Sequence, residues 1–342
     1  MTHPLRRRSP PGPVLVTGGA GFIGSHVVDA LLARGTEVRV LDDLSTGSPD
    51  HLPLHDPNLE LRTGDLADPA ATASALRGMR SCIHLAARPA LARVGVDPYE
   101  ITLANVLGFI NLLDGARQHG VRRVVFASSA AVYGEAPERP FTEATRARPT
   151  CPKGIEKLLD EGYATLFSRH HGLRTLGLRY FNVYGPRQVR RDGVIPKFLE
   201  RLDARRPLLI RGDGHQRRDF IHVEDAARAT VAALDSGHCG VLNVASGQAT
   251  EIRELVRLLG YALDLRPLMH FVPAHAGEAT ERRADIARLR RVTGFAPEHN
   301  LRSGLAALAS DRAAQRRRRT EPLTLARRAA DAPPWRPARA AQ

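Results

Sequence analysis

The sequence predicts an α/β fold, a doubly wound parallel sheet followed by a smaller α/β annex. Three observations support this. Short apolar runs alternate with stretches of helical periodicity from Val14 to about residue 180. The first run passes through a glycine turn into an apolar helix and then into a second run that ends in an acid. Later runs end in small or polar residues, which right-handed crossovers line up along one crevice at the carboxyl edge of the sheet.

The first unit is the most specific. Val14–Thr17 reads as a strand, Gly18–Gly21 as a turn, the stretch from Phe22 as a helix, and Val38–Asp42 as the second strand. Gly18 and Gly21 let the backbone turn sharply and approach a pyrophosphate without a Cβ in the way, and Gly24 lets the helix pack closely. The helix start, with Phe22, Ile23 and Gly24, aims free N–H groups and the positive dipole end at the phosphates. Asp42 lies 18 residues after Gly24, where a carboxylate accepts both ribose hydroxyls of NAD and repels the 2′-phosphate of NADP. The expected cofactor is therefore NAD, in a Rossmann-type domain.

Composition sets outer limits. The net charge of +14 resides mainly at the ends: Arg6-Arg7-Arg8, and nine arginines against Glu321 and Asp331 in residues 312–342. The remainder keeps only a small positive excess, so nucleic acid is not the expected partner. Both ends, rich in Ala, Pro and Arg, read as disordered extensions. No apolar run approaches a membrane span, and Arg6-Arg7-Arg8 are followed by Ser-Pro-Pro-Gly-Pro rather than by the apolar core of a signal peptide. Cys82, Cys151 and Cys239 lack metal-ligand spacing and cannot all pair. The expected location is a reducing cytoplasm.

Along the chain, a third strand, Leu59–Thr63, ends in Gly64-Asp65-Leu66, which places Asp65 and Leu66 at the cofactor. Asp65 reads either as a partner of the adenine amino group or as the N-cap of the Ala-rich helix that follows. A fourth strand begins at Ser81 and runs into Leu85-Ala86-Ala87. A helix is expected from about Pro98 to His119, and a fifth strand over Arg122–Ala127. That strand delivers Ser128-Ser129-Ala130-Ala131-Val132-Tyr133-Gly134 to the same edge. A sixth strand covers Arg174–Leu178, and a helix from Val194 to Arg205 opens the annex.

Several motifs occur together in order: Thr17-Gly-Gly-Ala-Gly-Phe-Ile-Gly24, Asp42-Asp43-Leu-Ser-Thr-Gly47, His84-Leu-Ala-Ala87, Asn105-Val-Leu-Gly108, Ser128-Ser129 with Val132-Tyr133-Gly134, Arg179-Tyr-Phe-Asn-Val-Tyr-Gly-Pro186, and Arg218-Asp-Phe220. Over residues 14 to 300 the chain resembles the extended short-chain dehydrogenase/reductases of the NAD-dependent epimerase/dehydratase branch, above all UDP-glucose and UDP-glucuronate 4-epimerases. The resemblance implies a UDP-linked sugar substrate and C4 epimerisation through a 4-keto intermediate. It implies an NAD domain over 14–178, rejoined by about 212–235, and a mainly substrate-binding annex over 179–311. It also implies a homodimer formed through helices around 105–117 and 157–169.

By resemblance, Ser129 hydrogen-bonds the sugar 4-hydroxyl, Asn182 contacts the sugar or its phosphate, and Arg218 pairs with the diphosphate. The positions that would carry a dehydratase's carboxylates or a decarboxylase's glutamate are Ala130 and Ala131. The family's Tyr-x-x-x-Lys pair falls on Lys153 and Lys157: the lysine that holds the nicotinamide ribose is present, and the tyrosine is replaced. Three readings of Lys153 stand open. Lys157, the cationic nicotinamide and desolvation would favour a neutral Lys153 amine that accepts the proton. The site would otherwise bind NAD and a nucleotide sugar with little turnover. In the third reading Cys151, Tyr133 or a water supports altered chemistry, dehydration included, or the helix is shifted in register. An arginine expected before Gly277-Glu278 is His275, so a diphosphate contact is expected to move to Arg282 or Arg283.

Overall fold

A computed structural model of the chain describes residues 12–88, 101–135, 140–188, 193–274 and 280–314. The first large layer is a seven-stranded sheet of β1 (Val14–Thr17), β2 (Val38–Asp42), β3 (Leu59–Thr63), β4 (Ser81–His84), β5 (Arg123–Ser129), β6 (Arg174–Tyr180) and β10 (Gly240–Val244). Its order is β10-β6-β5-β4-β1-β2-β3 with every pairing parallel. The order reverses between β1 and β4, where Thr17 stands beside His84. Ligands bind at such a reversal, because neighbouring crossovers leave to opposite faces and open a crevice.

Strand alternation sorts side chains to the two faces. Val14, Val16, Val38, Val40, Ile83, Val125 and Leu176 pack under α1 (Phe22–Leu32) and a later helix over Val223–Asp235. Leu15, Leu41, Cys82, Val124 and Phe126 face α2 (Pro69–Leu76), α3 (Gly108–Gln118) and α4 (Pro152–His171). Apolar residues on both faces of each strand are the signature of a buried parallel sheet.

Expected and observed bounds differ informatively. β5 and β6 run two residues further than apolarity suggests, because Ser128 and Ser129 continue to pair with Arg179 and Tyr180. The fourth strand stops at His84, and Leu85–Ala87 leave it as loop. The helix expected from Pro98 falls partly on undescribed residues; from 101 it is helical, with a π turn over Leu103–Leu107 ahead of α3. The cap of α2 is Asp68, whose side chain accepts from the Ala70 N–H, so Asp65 is not the helix cap.

The annex contains β7 (Asn182–Tyr184), α5 (Val194–Asp203), β8 (Leu208–Arg211), β9 (Arg217–His222), α6 (Val223–Asp235), β11 (Ala249–Glu251), α7 (Ile252–Leu263), β12 (Met269–Val272), β13 (Glu281–Arg282) and α8 (Ala287–Thr293), with α6 returning to the large sheet. β9 is flanked by β11, β13 and β7, and β12 pairs with β8. Phe198, Leu199, Ile210, Leu255 and Leu305 centre the annex core. Residues 301–314 form a last helix, α9, and Arg312 pairs with Asp203 at 2.6 Å, so residues 312–314 belong to that helix. The rest of the expected tail, most of the expected N-terminal extension, His275 and Gly277-Glu278 lie outside the described residues. Among the described residues no helix is long and apolar enough to cross a membrane.

Candidate active site

The glycine loop closes on itself more tightly than any other side chain would permit. Gly18 has φ +69°, and a Cβ there would stand 2.6 Å from the Ala86 nitrogen. A Cβ on Gly24 would stand 2.0 Å from the Gly18 carbonyl oxygen, so Gly24 packs on the loop itself. Gly21 is the N-cap of α1, with no side-chain cap and no acid in the first turn. Phe22 and Ile23 follow, half-buried, and the helix start is left as an anion seat. The cradle fits a dinucleotide's pyrophosphate.

Asp42, 7 % exposed, accepts the Ala20 N–H and the Leu44 N–H, both at 2.9 Å. It therefore ties the glycine loop to the end of β2. Burial pushes its carboxyl above the usual range, against the pull of the two amides. Asp43 accepts from the Ser45 hydroxyl and amide and from Arg88. Burial opposes its ionisation, but these donors hold its carboxyl below the usual range.

Arg88 carries no signal in the sequence motifs. Its guanidinium bridges Asp43 at 3.3 Å and Asp65 at 2.8 Å, across the strand ends where adenine is expected. Asp65 thus shares its carboxylate with an arginine. Leu66 is 8 % exposed; its side chain belongs to the core and its carbonyl accepts from Asn111 and Thr72. The backbone of Arg88 is held by Asn105, which accepts from the Arg88 N–H at 2.7 Å, donates to the Arg88 carbonyl at 3.0 Å, and is itself anchored by buried Glu156 at 2.9 Å. The Asn105-Val-Leu-Gly108 motif thereby fixes the loop that follows β4.

At the end of β5, Ser128 donates to Glu161, which also accepts two bonds from Arg179 at 2.9 and 2.7 Å. Ser129 accepts the Ala131 N–H at 3.2 Å, which leaves its hydroxyl hydrogen to donate outward. The start of α4 is pressed on this turn: a Cβ on Gly154 would stand 2.6 Å from the Ala131 carbonyl oxygen. Lys153 precedes Gly154 and is exposed. Lys157, one turn on, is 5 % exposed, and its ammonium pairs with Asp160 at 2.9 Å. Burial and the Lys157 charge push His84 down to about 3, so the ring is neutral; its Nδ1 lies 2.8 Å from the Thr17 hydroxyl. Lys157 thus faces the sheet reversal, beside the cofactor seat.

Of the substitutes considered for the missing tyrosine, Tyr133 is fully buried and donates to Asn243 at 2.6 Å, with the Arg179 guanidinium over its ring. It is a core group, and burial raises its pKa. Cys151 is the exposed N-cap residue of α4.

On the annex side, Asn182 is exposed at the start of β7 and donates to the Asp219 carbonyl at 2.8 Å. Arg218 stands on β9, in register with Arg282 of β13, and one of its nitrogens donates to the Arg217 carbonyl. The buried Arg282 Nε has no partner among the described residues, whereas Arg283 is engaged by Glu281 at 3.0 Å. Of the two arginines, Arg282 is the one in register with Arg218. Asp219, fully buried, collects the Ser246 amide and hydroxyl and the Gly247 and Ala284 amides. Burial nevertheless pushes it up to about 6.

The sequence pattern of the NAD dependent epimerase/dehydratase family matches residues 14–245. The UDP-glucose 4-epimerase of Mycolicibacterium smegmatis is 36% identical over 299 residues, covering 85% of this chain and 96% of that protein. The solved UDP-N-acetylglucosamine 4-epimerase of Methanobrevibacter ruminantium M1, in complex with UDP-N-acetylmuramic acid, superposes with a TM-score of 0.83 at 33% identity, covering 90% of this chain and all of that one. The Thermus thermophilus UDP-glucose 4-epimerase in complex with NAD gives 0.79 at 35% identity, with 87% and 98% covered. The glycine cradle at the sheet reversal, the matched pattern and these likenesses agree: the chain belongs to the NAD-dependent epimerase/dehydratase family of enzymes.

Proposed function

We propose that the protein epimerises C4 of a UDP-linked sugar, with Lys153 in the place of the usual tyrosine. The observation that supports this reading is the seating of the α4 start on the turn that follows Ser129, with Lys153 one residue before the close contact at Gly154. NAD, held by the glycine loop, Asp42 and Lys157, supplies a hydride acceptor and donor. Ser129 donates to the sugar's 4-oxygen, and the Lys153 amine takes the 4-hydroxyl proton and later returns it. Arg218 and Arg282 hold the diphosphate, with Asn182 beside them. Exposed Ile155, Leu159 and Leu166 on one face of α4, with Leu107 ahead of α3, support a homodimer through these helices.

The second reading, a protein that binds NAD and a nucleotide sugar with little turnover, is favoured by the exposure of Lys153. Sugar exchange followed by NMR on UDP-glucose, UDP-galactose, UDP-glucuronate and their N-acetyl relatives separates the two. Interconversion lost in Lys153→Ala supports the first. No interconversion, while NAD and UDP still raise the Tm, refutes it, and activity gained by Lys153→Tyr then traces the loss to this position.

A further inference from the structure

Outside the cofactor crevice, at the seam between the large sheet and the annex, three side chains from distant parts of the sequence converge. His222 ends β9, Glu224 lies in the first turn of α6, and His299 lies in the segment between α8 and α9. One ligand-capable atom from each lies within 4.8 Å of the others. His222 is 1 % exposed, and neither of its ring nitrogens has a hydrogen-bond partner among the described residues. A buried imidazole with both nitrogens unpaired forfeits the water it left behind.

His299 is already oriented. Its Nδ1 lies 3.3 Å from the fully buried Asp225 carboxylate, and its Nε2 lies 3.4 Å from Glu224. Asp225 also accepts the backbone N–H groups of Glu298 and His299, which fixes the segment that carries the ring. The His222 and His299 rings lie 4.3 Å apart at 31°. His299 therefore stands between two carboxylates and a second imidazole, and its Nδ1, like the nitrogens of His222, makes no hydrogen bond among the described residues.

We propose that His222, Glu224 and His299 form a binding site for a divalent cation of the zinc class. Zinc bonds of 2.0–2.2 Å in a tetrahedron set ligand atoms roughly 3.4 Å apart. The His299–Glu224 pair is at that separation already, and small side-chain rotations close the rest. Two imidazoles and one carboxylate suit zinc, cobalt or nickel better than magnesium or calcium, which take oxygen ligands. Arg228 stands near, but its charge is taken up by Asp225 at 2.8 Å and Glu298 at 2.6 Å. A cavity of about 190 Å³ lined by Phe220, Ser246, Glu298 and Asn300 reaches His299. A bound cation staples the start of α6 to the segment leading into α9. Its role is to hold these two segments together.

The test uses the full-length protein after dialysis against a chelator. Titration with zinc chloride in a calorimeter is expected to show one site per chain with a Kd at or below the micromolar range. Cobalt chloride is expected to give the visible absorption of a four- or five-coordinate ion. His299→Ala and Glu224→Gln, both at partly open positions, are expected to weaken binding at least tenfold and to abolish the rise in Tm on adding zinc. Magnesium chloride is expected to leave the Tm unchanged. His222→Gln serves as a third variant, read by the cobalt spectrum alone. Absence of saturable zinc binding, or zinc binding unchanged in both His299→Ala and Glu224→Gln, overturns the proposal.

Discussion

Replacing Lys157 separates two roles that one side chain holds. Its ammonium lies 2.9 Å from Asp160 Oδ2, both groups are buried, and Asp160 Oδ1 has no partner among the described residues. Lys157→Met fills nearly the same volume, so the cavity contribution is small. It leaves a buried carboxylate with nothing on either oxygen, and removing one member of such a pair costs about 3–5 kcal/mol. At roughly 2 °C per kcal/mol for a chain of this length, the Tm of the NAD-free protein falls by about 6–10 °C. Burial already raises the Asp160 carboxyl above its usual range, against the pull of Lys157. A group whose folded pKa exceeds its unfolded one binds more protons when folded, so the deficit of the variant shrinks as the pH falls. Lys157→Met with Asp160→Leu removes the orphaned charge and recovers most of the stability. NAD affinity, read by calorimetry, is expected not to recover if Lys157 holds the ribose as proposed. Thermal unfolding across a double-mutant cycle measures the coupling. A loss below about 1 kcal/mol in the single variant, or a double variant no more stable than the single, refutes the reasoning.

Gly24→Ala places a methyl group 2.0 Å from the Gly18 carbonyl oxygen; the loop must move, and NAD affinity in a calorimeter is expected to fall at least about a hundredfold, as closely packed sites do not absorb such overlap. Asp219, held up to about 6, binds a proton in the folded state between roughly pH 4 and 6 that the unfolded chain releases. Its burial therefore costs stability as the pH rises through that window, on the order of 2–3 kcal/mol in full. A difference titration of wild type against Asp219→Asn is expected to show one group titrating near pH 6. Leu159→Glu puts a charge at the centre of the exposed α4 stripe of Ile155, Leu159 and Leu166. Light scattering after size exclusion is expected to find a dimer in the wild type and a monomer in the variant.

The local parts of the fold are legible because their signals are local. The apolar runs at Val14, Val38 and Leu59 give the first three strands, and the glycine spacing gives the loop that joins β1 to α1. What the sequence conceals is long-range. Arg88 follows a recognisable His-Leu-Ala-Ala stretch, yet nothing adjacent to it signals that its guanidinium spans Asp43 and Asp65. Asp65 reads from sequence as an adenine partner or a helix cap; Asp68 caps the helix, and Arg88 holds Asp65. The Lys157–Asp160 pair is three residues apart on a helix and is readable in principle. His222 and His299 meet only through tertiary packing, and a lone histidine in sequence carries no sign of a partner 77 positions away.

The hold of Asp225 on the Glu298 and His299 amides also bears on how the chain is made. The core cluster on the α1 face takes in Leu289 and Phe295 as well as the strands. During synthesis, a chain that has emerged only as far as α6 has strands β1 to β6 of the large sheet and most of its helices, yet it lacks β10, this packing and the amides for a fully buried carboxylate. The packing of the cofactor lobe is therefore complete only when residue 299 has arrived.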